Sequence, residues 1–342
     1  MNVIKTYALT KAYGSVRAVD GLDMRVAQGD IYGFVGKNGA GKSTTMKMIA
    51  GLDAPTAGTI KLFGAERTGS AFSSAFSRIG ALVEQPGLLP NFSAYENLMM
   101  KALSVGVVRP REQCRELLEL VGLEEVGPRK AKKFSLGMKQ RLGLALALVG
   151  SPDLLLLDEP FNGIDPEETR ALRTMLMRLN HERGVTIVIS SHVLDQLNRM
   201  ATRFGVIKAG HMVREFTEDE LHAACGSSVR VKTADPARSL AILEERLAGA
   251  AFRVEPDGGI VISGAQGAHN AAARFGGAAG DAANAGAPTA EEISRVLAAG
   301  GQTILELSVL ERDIEEYFVE LMGGTADEAA DAERAEQGER GR

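Results

Sequence analysis

An α/β core built on a largely parallel sheet is the fold class this sequence predicts, and three observations predict it. Between residues 2 and 216, apolar runs at 31–35, 154–157, 186–190 and 204–207 alternate with helix-patterned segments. Gly36-Lys-Asn-Gly-Ala-Gly-Lys42-Ser43 stands between the first run and the helical segment 44–49. The run Leu154-Leu-Leu-Leu157 ends in two carboxylates, Asp158 and Glu159. Uninterrupted apolar strands suit a parallel sheet covered on both faces.

In chain order, the glycine loop comes first. Gly36, Gly39 and Gly41 let backbone N–H groups converge on phosphate oxygens without Cβ clashes, and the helix that follows points its positive end at the same charge. In such a strand–loop–helix setting Lys42 reaches the β- and γ-phosphates of a nucleotide and the Ser43 hydroxyl ligates Mg²⁺, with Asn38 and Thr44 joining the candidate binding set. Between 86 and 150 the pattern turns helix-rich, with segments at 94–104, 111–121 and 137–149, which reads as a helical insertion.

The acidic pair needs a reason, because a buried strand end favours groups that are easier to desolvate. A metal ion supplies one: Asp158 holds Mg²⁺ directly or through water, and Glu159 orients and polarises an attacking water. The run that starts at Thr186 ends at Ser191-His192. Ligand crevices of parallel sheets lie at the carboxyl ends of the strands, so His192 is expected beside Glu159 as a γ-phosphate sensor.

Beyond 216 the order β-α-β-β-α-β-α predicts an accessory α+β domain over 217–323, of the split βαβ or ferredoxin-like kind. The Ala/Gly-rich stretch 264–287 is expected to be a flexible insert within it, and the acidic tail 324–342 to be disordered. Composition narrows the class further. A net charge of −5 argues against a nucleic-acid coat, and two widely spaced cysteines, Cys114 and Cys225, argue against a disulfide framework and for a reducing cytosol. No secretory signal opens the chain, and its longest apolar stretches fall short of the roughly 20 residues that span a bilayer. Membrane action would therefore require another subunit.

Phe134-Ser135-Leu136-Gly137-Met138-Lys139-Gln140-Arg141, 23 residues before Asp158, resembles the signature segment of ATP-binding cassette (ABC) ATPases, the motor subunits of ABC transporters. The resemblance covers 2–216 in family order and implies a P-loop NTPase, RecA-like core with a helical signature subdomain. It further implies that Tyr13 stacks on adenine, that Gln85 senses the γ-phosphate and its metal, and that Asp165, closing the turn Asn162-Gly-Ile-Asp165 after the acidic pair Asp158-Glu159, belongs to the nucleotide-binding set. It also implies a homodimer around ATP, in which Ser135 and Gly137 of one subunit face the nucleotide of the other. Such a subunit works in the cytoplasm, held at the membrane by a permease on a separate chain.

Two positions depart from the commonest signature: Leu136 stands for a glycine and Met138 for a glutamine. The segment 83–98, taken with the signature, resembles the exporter branch similar to bacitracin and lantibiotic-immunity ATPases, which implies an antibiotic or peptide substrate. Two other readings stay open: a soluble ABC-type ATPase acting on nucleic acid or ribosomes, and a nucleotide-gated regulatory switch with negligible turnover.

Overall fold

The computed structural model describes residues 1–66, 71–225, 227–247, 249–263, 288–311 and 314–322. The stretch 264–287 and the tail 324–342 lie outside the described residues. The chain forms two compact units, Met1–Glu218 and Asp219–Arg342.

The first unit carries a six-stranded sheet in the order His211–Thr217, Arg203–Lys208, Ile31–Val35, Thr186–Ser191, Leu154–Asp158, Ile79–Leu82. All neighbours run parallel except the first pair, which is antiparallel. The register pairs Val35 with Ser191, Ser190 with Asp158, and Leu157 with Leu82. Four strand ends thus come level, and the residues that follow each of them emerge on one edge.

A second, antiparallel sheet joins Asn2–Tyr13, Val16–Leu22, Arg25–Ala27, Ala57–Leu62 and Ala65–Glu66. The parallel core expected over 2–216 is therefore only part of this unit. Asn2–Tyr13 mixes buried and exposed positions without strict alternation. Bulges interrupt its pairing with both main partners, which blurs the period-two signal of a strand.

The main core fills the space between the two sheets: Ile4, Leu9, Val19, Ile60 and Leu62 from one, Phe34, Leu154, Leu156 and Val188 from the other, with Met46 and Ile49 of the helix Lys42–Ile49. The four leucines 154–157 are all fully buried, so both faces of their strand are covered. Each such side chain contributes roughly 1.5–3 kcal/mol through burial.

Three helices form the insertion, Ala94–Ser104, Pro110–Leu120 and Leu136–Leu148. The first is fixed by a capping box, in which Ser93 accepts the Glu96 N–H at 3.2 Å and the Glu96 carboxylate accepts the Ser93 N–H at 2.6 Å. The third packs against Ile79–Leu82 so closely that a methyl group on Gly80 would lie 2.0 Å from the Ala147 carbonyl oxygen.

In the second unit the strands run in the order Ala251–Val254, Ile260–Ser263, Ser227–Thr233, Ile304–Glu311, every neighbour antiparallel. Ser227–Thr233 and Ala251–Val254 both oppose the strand between them, so they are parallel to each other and linked by the helix Pro236–Arg246. That is the split βαβ arrangement. Val229, Val231, Ile260 and Ile262 meet Leu243, Ile293 and Leu297 in its core. Arg230 alternates to the other face, where Glu255, Asp257 and Glu306 surround it at 2.5–2.9 Å. Among the described residues no helix is long and apolar enough to cross a membrane.

Candidate nucleotide site

The glycine loop follows Ile31–Val35, and close approach or backbone geometry explains each of its three glycines. A methyl group on Gly36 would lie 2.5 Å from the Ile207 carbonyl oxygen, and one on Gly41 would lie 2.5 Å from that of Ala18. Gly39 has φ +80°, a left-handed conformation that costs other residues energy. Lys42 is 5% exposed. Its ammonium donates to the Gly36 carbonyl at 2.5 Å and lies 3.3 Å from Glu159 Oε1. Gly41 caps the helix Lys42–Ile49 without a side-chain hydrogen bond, so its first-turn N–H groups face the loop. Ser43 and Thr44 are half-buried in that first turn, while Asn38 is exposed.

At the neighbouring strand ends, Asp158 is 4% exposed and accepts the Ser190 hydroxyl at 2.6 Å. The same hydroxyl accepts the Glu159 N–H at 2.9 Å. Ser190 was not read from the sequence; its only signal is a small polar residue closing an apolar run, in register with Asp158. Glu159 itself has φ +48°. Its Oε2 meets His192 Nδ1 at 2.9 Å, while Oε1 is buried without a hydrogen bond. Burial opposes ionisation of Glu159, but the hydrogen bond and charge of His192 and the charge of Lys42 outweigh it and hold the carboxyl below its usual range. Lys42, Asp158, Glu159 and His192 thus converge at one edge of the parallel sheet.

The remaining sequence-derived residues lie on three other segments. Tyr13 is 50% exposed at the end of its strand, its hydroxyl donating to Asp53 at 2.6 Å. Lys11 also bonds Asp53 and sits 4.9 Å from the Tyr13 ring centroid. Hydrogen bonds from Lys11 and Tyr13 hold the Asp53 carboxyl at about 2, and the bond to Asp53 raises the Tyr13 phenol. Neither Lys11 nor Asp53 carried a legible signal, since they join only through pairing that brings 11 beside 53.

Gln85 is exposed, beyond the strand that ends at Leu82. Its neighbours are anchored. Glu84, with φ +63°, pairs with Lys47 of the loop helix, and a methyl group on Gly143 would lie 2.7 Å from Pro86. Ser135 is the exposed N-cap of Leu136–Leu148 and accepts the Met138 N–H at 3.2 Å; Gly137 is buried. Asp165 caps the helix Pro166–Arg183 by accepting the Glu168 N–H at 2.8 Å.

The ABC transporter family model matches residues 19–162. Over 94% of the chain and 98% of the relative, the sequence is 36% identical to the bacitracin transport ATP-binding protein BcrA of Bacillus licheniformis. This chain is an ABC transporter ATPase. The ATPase is also 33% identical to the daunorubicin/doxorubicin resistance ATP-binding protein DrrA of Streptomyces peucetius, over 98% of its own length and 96% of that protein's. Among solved structures, the ATP-binding cassette MJ0796, a dimer in a post-hydrolysis state bound to ADP and Pi, matches it with a TM-score of 0.58. That match is 26% identical and covers 63% of the ATPase and 98% of MJ0796. The fold, ATP as the nucleotide and the ATPase activity follow from this kinship.

Proposed function

We propose that this ATPase is the motor of a membrane exporter for an antibiotic, peptide or other hydrophobic drug, and that it works as a homodimer at the inner face of the membrane on a separate permease. The observation that carries the motor reading is the Lys42–Glu159–His192 constellation. A carboxylate kept ionised by two basic groups, with one oxygen left without a hydrogen bond, suits a group that orients and polarises water. Lys42 binds phosphate charge, and His192 holds the Glu159 carboxylate in place. A pure switch has no use for such a group. Full-length likeness to BcrA and DrrA supports the exporter.

Mg²⁺ fits the donors at hand: the Ser43 hydroxyl, the Asp158 carboxylate fixed by Ser190, and the Gln85 amide oxygen are all hard oxygen ligands. Bound there, the ion would neutralise phosphate charge. Tyr13 offers an exposed ring for adenine, Ser135 and Gly137 serve the second subunit's nucleotide, and Asp165 joins the nucleotide-binding set. For the permease, Leu89, Phe92, Met100 and Leu103 of the insertion, each 38–62% exposed, are the apolar docking candidates.

Solubilising membranes with detergent and capturing the tagged ATPase should bring down a polytopic membrane protein, and vesicles holding both should take up substrate only with ATP. Capture of ribosomes or nucleic acid instead would overturn the exporter. The chain has no tryptophan. Tyr13→Trp should therefore show a fluorescence change on ATP binding against a dark background. Tyr13→Ala should weaken ATP binding by about fivefold or more, the loss expected for one base stacked on an aromatic ring. Unchanged affinity in Tyr13→Ala would remove the adenine role.

A further inference from the structure

Leu136 departs from the commonest signature and is 54% exposed, yet its side chain does not simply stand in solvent. A methyl group on Gly163 would lie 2.6 Å from Leu136 Cδ2, so the leucine rests on bare backbone in the turn that leaves Glu159. That turn is short: the Asn162 N–H donates to the Glu159 carbonyl at 3.1 Å, and Gly163 follows with φ +73°. Just beyond, Glu168 reaches back to the same helix. Its carboxylate accepts Arg141 at 3.2 Å and packs so near Gly137 that a methyl group there would lie 1.9 Å from Glu168 Oε2. The start of the signature helix therefore grips, within one chain, both sides of the segment running from Glu159 into the helix Pro166–Arg183.

We propose that Leu136 is a positioning residue: seated on Gly163, it fixes the turn that leaves Glu159 and so holds the Glu159 carboxylate against His192, with the Arg141–Glu168 ion pair bracing the same contact. The inference rests on Glu159 as the water-positioning group. A left-handed glutamate persists only where its surroundings over-determine it, and the Leu136 contact is one of those determinants. A glycine at 136 has no side chain to reach Gly163.

The experiment is a double-mutant cycle of Leu136→Gly and Gly163→Ala, read as kcat, KM and melting temperature, with Leu136→Met as the volume-conserving control. Leu136→Gly is expected to lower kcat by about tenfold through misplacement of the carboxylate, with KM and melting temperature little changed, and Leu136→Met to keep most of kcat. Because Gly163→Ala collides with Leu136 in the native chain and not in Leu136→Gly, the combined loss should be smaller than the product of the two. Losses that multiply would mean that Leu136 acts elsewhere, for example directly on the partner's nucleotide, and would overturn the proposal. So would native kcat in Leu136→Gly. Glu159→Gln in the same assay separates the premises: full turnover there removes the role of Glu159 itself, whereas lost turnover there with native kcat in Leu136→Gly removes only the positioning role.

Discussion

Glu159→Gln should bind ATP at least as tightly as the native ATPase and lose turnover by about 10²–10³, the usual effect of removing one preorganised electrostatic group from a closed site. The affinity half of this expectation comes from the ion pair. Glu159 Oε1 lies 3.3 Å from the Lys42 ammonium and competes with phosphate for it, so removing the carboxylate charge frees Lys42 for the nucleotide. Lys42→Ala should do the opposite and weaken binding itself. Calorimetric titration with ATP and steady-state phosphate release would measure both. Turnover of Glu159→Gln within tenfold of native would take the water-positioning role away from Glu159. Because the folded-state pKa of this carboxyl lies below its usual value, its charge persists at neutral pH. Its stabilising pairing is complete above the ordinary carboxylate pKa and is lost only as pH falls through the lowered one.

ATP-dependent dimerisation should vanish in Ser135→Arg. Ser135 is exposed at the start of Leu136–Leu148, so a long cation there can be built without disturbing the core. It removes the hydrogen bond to the Met138 N–H, which costs about 1 kcal/mol as a lost helix cap and leaves the fold standing. In the Glu159→Gln background, where ATP survives, gel filtration should show a shift from monomer to dimer on adding ATP, because a ligand shared between two chains stabilises their association by mass action. Adding Ser135→Arg should abolish the shift while monomeric ATP affinity stays near native through Lys42. A dimer that forms without ATP, or survives Ser135→Arg, would sink the shared site.

The parts of the site that were legible in the sequence are those where chemistry and local period agree. Gly36–Ser43 could be read because strand, loop and helix follow one another within a few residues, and Asp158–Glu159 because two charges directly after four leucines contradict the run they end. What was not legible depends on pairing between distant segments. Ser190 matters only through its register with Asp158, Asp53 only because pairing carries Lys11 and Tyr13 to it, and Glu168 only because two helices meet at Gly137. Nor did the antiparallel sheet of the first unit show itself, since bulges break the alternation of Asn2–Tyr13. The split βαβ order of the second unit was readable because Val229-Arg-Val-Lys232 alternates, Ile260–Ser263 is apolar and the helix Ala290–Ala299 is strongly two-sided.

The left-handed backbone at Glu159 has a consequence for descent. At φ +48° a glutamate is disfavoured by about 1 kcal/mol or more relative to glycine, with asparagine between them. Folding alone would not choose a carboxylate at this position; the proposed water-positioning role would. In a lineage freed from the need to split ATP, drift at 159 would run downhill in backbone energy toward glycine or asparagine, while the buried leucines before it would still be held by packing. On the role proposed for Glu159, the residue at this one position in a relative would record whether hydrolysis is still under selection there, independently of how well the rest of the cassette has been preserved.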